Sequence, residues 1–108
     1  MVQGIEKRVH PRTEISSIAV LVAPERGGYL TNVLDISSGG VRVQRPLAWV
    51  DHHGIFRLYF IFDQDTVIEV RALMVRQGDD HLAFRFEDPQ SPEVMQLMYE
   101  TRFASQPL

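Results

Sequence analysis

The sequence predicts a mainly β protein: a small six-stranded antiparallel β-barrel with a single C-terminal α-helix. Three observations carry this expectation. Short apolar runs alternate with period two between clusters of turn residues. Helical spacing replaces that alternation once, after Ser91. The 108 residues, 44% hydrophobic and 23% charged, have the balance of one globular core, not of a disordered chain or a pair of domains.

Residues 1–14 read as a flexible N-terminal arm, and 15–108 as the barrel with its helix. Ile18, Val20 and Val22 alternate as a first strand, and Pro24 to Gly28 turns the chain. Tyr29 to Asp35 form a second strand. Gly39 and Gly40 interrupt it, and Val41 and Val43 resume the period against Arg42 and Gln44 until Pro46. Phe56, Leu58, Phe60 and Phe62 share a face of the run from Ile55. Ile68, Val70, Ala72 and Met74 lie on one side of the next, with Glu69 and Arg71 on the other. Leu82, Phe84 and Phe86 repeat the pattern after Gly78-Asp79-Asp80. Ser91-Pro92-Glu93 then supplies a hydroxyl cap, a first-turn proline and an acid at the positive helix end, starting a helix over about residues 91–104. Its narrow stripe of Val94, Leu97, Met98 and Thr101 suits a helix lying on the barrel.

Charge and composition narrow the function. Cysteine is absent, which removes disulfides, thiolate metal sites and cysteine nucleophiles and agrees with a cytoplasmic setting. No run approaches a membrane span, and the N-terminus has no apolar stretch of the signal-peptide kind. A net charge of −3 disfavours nucleic-acid binding by bulk attraction. The charge is uneven: Lys7, Arg8 and Arg12 against Glu6 alone put residues 1–12 at +2, and hence the other 96 at −5. A basic segment on an acidic body indicates a local anion site.

Pro11 disfavours helix at His10, so Arg8 and Arg12 sit on extended backbone, pointing to one side and at most roughly 13 Å apart. Two guanidinium forks so placed suit a planar anion, because each can pair with phosphate, read the guanine O6/N7 edge, or stack on a ring. Asp35 and Ser37, two apart, face the same way on extended backbone, followed by Gly39 and Gly40. A carboxylate there accepts from guanine N1–H and N2–H, a hydroxyl donates to phosphate, and glycine allows close approach. The plainer reading is a turn in which Asp35 or Ser37 satisfies local amides.

Arg8-x-x-x-Arg12 followed by Asp35-x-Ser37-x-x-Gly40 resembles the paired signature of the PilZ domain family, and the strand and helix pattern extends the resemblance over essentially the whole chain. The resemblance implies a bacterial, cytoplasmic, non-catalytic receptor for the second messenger cyclic diguanylate (c-di-GMP), with no cofactor. The site it implies is Lys7, Arg8, Arg12, Asp35, Ser37, Gly39, Gly40 and Arg42. The arginines of the first motif take guanine and phosphate, and the second motif lines the opposing barrel surface. Lys7 leans towards a pair of bound ligands over one. Met74 and Arg76, on a later strand, are candidates for a stacking wall that the site does not include. The partners expected are c-di-GMP and a downstream protein, with no nucleic acid and no membrane insertion, in a monomer or ligand-dependent dimer. The alternative is a nucleotide-independent interaction module of the type IV pilus kind, against which the intact motifs argue.

Other candidates fall away. Asp51-His52-His53 suggests a metal, but neighbours on a strand diverge and no further ligand pair stands out. His81 has no obvious partner. Neither Ser16-Ser17 nor Ser37-Ser38 has a nucleophile elbow, and there is no phosphate-binding loop or dinucleotide fingerprint. Trp49 reads as either a lid on the barrel end or a partner contact.

Overall fold

The computed structural model describes residues 13–14, 18–23, 27–51 and 53–104. Among the described residues, seven strands and one helix follow in order: β1 (Thr13–Glu14), β2 (Ala19–Ala23), β3 (Tyr29–Ile36), β4 (Gly40–Gln44), β5 (Ile55–Ile61), β6 (Val67–Gln77), β7 (His81–Phe86) and α1 (Pro92–Ala104). All pairings are antiparallel. The sheet runs β3-β2-β5-β6-β7-β4, and β4 pairs back onto β3, so six strands close a barrel. β1 is an additional short strand on β3, in register Thr13 with Ile36 and Glu14 with Asp35. Of the arm expected over residues 1–14, its last two residues are this strand, and residues 1–12 lie outside the described residues.

The period-two apolar positions fill the barrel. Val20, Val22, Val33, Val43, Leu58, Phe60, Ala72 and Leu82 have no exposed surface, and Phe56, Phe84 and Phe86 almost none. Phe56 meets Phe84 edge-on at 5.4 Å, and Phe60 meets Phe86 similarly at 6.5 Å, an arrangement that aromatic quadrupoles favour. Phe62 lies just past β5 and packs on this core half-buried.

Trp49 is a lid. Its ring lies 4.9 Å from Tyr29 and 5.9 Å from Phe56 at the end where β4 finishes and β5 begins. Its indole Nε1–H donates to Gln77 Oε1 at 2.8 Å, so burial leaves that donor satisfied. β7 starts at this end, since Leu82 pairs with Gln77, and leaves at the other, where Phe86 pairs with Ala72. The chain enters α1 there. Ser91 Oγ accepts from Val94 N–H at 3.2 Å, the cap the sequence predicts. Val94 and Leu97 join the core and Thr101 is buried beside them, while Met95 and Tyr99 face outward. The helix packs against β6, on the barrel wall. Among the described residues, no helix is long and apolar enough to cross a membrane.

Two irregularities alter the simple alternation. Val33 pairs with Val43, but the next pair is Asp35 with Arg42, so Leu34 is an extra residue in β3. Met74 pairs with Phe84, but the next pair is Arg76 with Ala83, so Val75 is extra in β6. Each bulge reverses the face on which the following residues lie.

Candidate functional site

The Leu34 bulge creates the surface around the second motif. Without it, Asp35 would follow Thr31 and Val33 into the core. With it, Ile36 pairs with the buried Val41 and turns inward. Asp35 instead stands opposite Arg42, which lies between the inward Val41 and Val43 and therefore faces out. Arg42 Nε donates to Asp35 Oδ2 at 2.7 Å, and Arg42 Nη2 reaches the same oxygen at 2.5 Å. The Asp35 side chain is 6% exposed and that of Arg42 42%. A carboxylate this sheltered needs such a cation, because its desolvation is otherwise uncompensated.

Ser37 lies one residue past β3, in a tight hairpin. Ser37 N–H donates to Gly40 O at 2.9 Å, and Ser38 and Gly39 form the two-residue tip. Ser37 Oγ accepts from Gly39 N–H at 3.3 Å, the local turn role that the plainer reading foresees for it. A hydroxyl oxygen that accepts one bond keeps a proton of its own to donate. The expectation that Asp35 and Ser37 continue one extended strand is thus corrected: the strand ends between them.

The two glycines differ. A Cβ on Gly39 meets nothing within 4 Å, whereas one on Gly40 collides with the Phe84 carbonyl oxygen and lies 3.3 Å from Arg85 Cα. These are backbone atoms of β7 and cannot swing away. Gly40 is therefore required by strand closure, whatever it does for a ligand. Gly40→Ala is expected to destabilise the fold by about 1–3 kcal/mol, as overpacking does, while Gly39→Ala stays within about 0.5 kcal/mol. Urea midpoints of the two variants check this; equal midpoints mean that β4 and β7 can part at no cost.

Register adds residues that the sequence did not reveal. Arg42 pairs with Ala83, and Ala83 with Arg76, so Asp35, Arg42, Ala83 and Arg76 form one outward row across β3, β4, β7 and β6. Arg85 stands in the next row, paired with Gly40 and Leu73. Arg76 is placed outward by the Val75 bulge, while Met74 packs inward against the core, so the two do not make one wall. Ala83 and Arg85 reach this surface through strand pairing, which spacing along the chain does not show. Lys7, Arg8, His10 and Arg12 lie outside the described residues.

Elsewhere, His81 does have a partner: its Nδ1 lies 2.9 Å from Asp80 Oδ1, and this hydrogen bond holds Asp80 below the ordinary carboxylate range. Asp51 pairs with Arg45 at 3.7 Å, His53 is exposed, and His52 is outside the described residues. A groove of about 470 Å³ opens between β6 and the start of α1, lined by Glu69, Glu87, Asp88 and Glu93. Its carboxylates outnumber Arg71, which is itself paired with Glu87 at 3.1 Å, so the groove repels an anionic nucleotide.

Comparison with known proteins agrees with this architecture. No curated protein matches the sequence. Among solved structures, the chain resembles the PilZ domain of YcgR from Escherichia coli, solved with c-di-GMP, with a TM-score of 0.69 and 17% identity over 93% of this chain and 92% of that one. It also resembles the PilZ domain of CeSA from a cellulose-synthesizing bacterium, with a TM-score of 0.67 and 20% identity over 84% and 97%. A third likeness is to the Bacillus subtilis inhibitor of motility MotI/DgrA, with a TM-score of 0.65 and 19% identity over 95% and 55%. At these identities the likeness is one of fold. The PilZ domain family model matches residues 6–100, nearly the whole chain, and with the closed barrel and its C-terminal helix this establishes that the chain belongs to the PilZ domain family.

Proposed function

We propose that this chain is a receptor for c-di-GMP that carries out no chemistry on it. The observation that supports this most is the pairing of Thr13 and Glu14 with Ile36 and Asp35. In the sequence Arg12 immediately precedes Thr13, and Arg8 lies four residues further back. In this reading Arg8 and Arg12 take the phosphates and stack on guanine. Asp35 accepts from guanine N1–H and N2–H, Ser37 donates to a phosphate oxygen, and the bare Gly39 tip lets the ligand come close. Arg42 completes the site, and Lys7 supplies the charge that favours a pair of ligands.

The ligand joins the basic segment to the acidic barrel and so changes the surface shown to a downstream protein in the cytoplasm. The likeness to a PilZ domain solved with c-di-GMP supports the choice of ligand.

Calorimetric titration tests this with c-di-GMP, a linear guanine dinucleotide and a short oligonucleotide at two salt concentrations. The cyclic ligand is expected to bind at least about tenfold more tightly than either competitor, a margin of about 1.4 kcal/mol. Equal binding of all three, or none of c-di-GMP, overturns the proposal.

A further inference from the structure

The position of Arg42 carries an inference that rests on the receptor reading. Its Nε and Nη2 both converge on Oδ2 of Asp35. The pair exists only because the Leu34 bulge sets the two residues opposite each other on the outer face. Two donors of one planar guanidinium on the neighbouring strand hold that single oxygen more firmly than one point charge would, and so limit how far the carboxylate turns. We propose that Arg42 is a positioning residue: it acts on the ligand through Asp35, holding the carboxylate in the orientation that reads a guanine edge.

The chemistry makes this a matter of base selectivity. Guanine offers two adjacent donors, N1–H and N2–H, which one oriented carboxylate accepts together. Adenine presents an acceptor at N1, which an ionised carboxylate repels. Loss of the orientation weakens the guanine contact and narrows the gap between the two bases. A phosphate contact by Arg42 would instead weaken every cyclic dinucleotide alike.

A double-mutant cycle on the full chain separates the two. Calorimetry compares wild type, Arg42→Gln, Arg42→Lys, Asp35→Asn and the Asp35→Asn/Arg42→Gln double variant, with c-di-GMP and c-di-AMP as ligands. Arg42→Gln is expected to weaken c-di-GMP about tenfold and c-di-AMP less than about twofold; in the Asp35→Asn background it costs c-di-GMP less than about twofold. A tenfold loss in both backgrounds, or for both ligands, overturns the proposal in favour of an independent contact. A gain in c-di-GMP affinity overturns it too, making Arg42 a competitor for the carboxylate. Should Arg42→Gln not fold, Arg42→Lys decides: charge kept with selectivity reduced supports the role, and wild-type selectivity refutes it. A wild-type chain that binds no c-di-GMP overturns the receptor reading itself, an outcome distinct from any change confined to Arg42 variants.

Discussion

Arg12→Ala is expected to weaken c-di-GMP binding by about 2–5 kcal/mol, thirtyfold or more, while leaving the fold within about 0.5 kcal/mol of wild type. Arg12 is the cation of the first motif nearest in sequence to β1, whose pairing leads to Asp35. In the proposed site its removal leaves a ligand phosphate without one of its counter-charges. Calorimetry reads the affinity, and a urea melt reads the fold. Wild-type affinity in a folded variant removes Arg12 from the site. Affinity and stability lost together would assign it to the barrel instead.

The second large effect belongs to the core. Phe56→Ala is expected to cost about 3–5 kcal/mol of folding stability. Its ring is 1% exposed and touches both ends of the packing that matters: Phe84 on β7 and the Trp49 lid. Truncation leaves a cavity between them that neither neighbour can fill without leaving its own contacts. Denaturant unfolding followed by Trp49 fluorescence measures it, since the indole sits at the cavity's edge. A loss below about 1.5 kcal/mol would mean that the barrel end collapses into the space.

Much of this fold is legible in the residues because the periods are clean. The alternation in Ile55–Ile61, in Val67–Ala72 and in His81–Phe86 gives both the element and its buried face. Ser91 and Pro92 announce the helix by a mechanism that its cap bond then uses. The site is harder, because its decisive features are relations between strands. Nothing in Val33-Leu34-Asp35 marks Leu34 as extra; the bulge appears only when β4 is laid beside it. Simple alternation puts Asp35 on the wrong face for the same reason. The row from Asp35 to Arg76 depends on a second bulge and on which strand lies next to which. Ser37 stands out in the sequence, but its bond from Gly39 N–H has it ending a strand, not extending one. The partnership of His81 with Asp80 is not legible in the sequence, because neighbours in a strand point apart, whereas at a turn they converge.

Gly40 bears on how such signatures are interpreted in other sequences. The Phe84 carbonyl excludes a side chain there for reasons of architecture. A descendant that had abandoned its messenger would still be obliged to keep that glycine, under pressure from assembly alone. Asp35 and Ser37 are held by side-chain bonds instead, Asp35 to Arg42 and Ser37 to Gly39 N–H. The glycine alone therefore reports the architecture, and a motif search that weights all three positions equally mixes the demands of assembly with those of the proposed recognition.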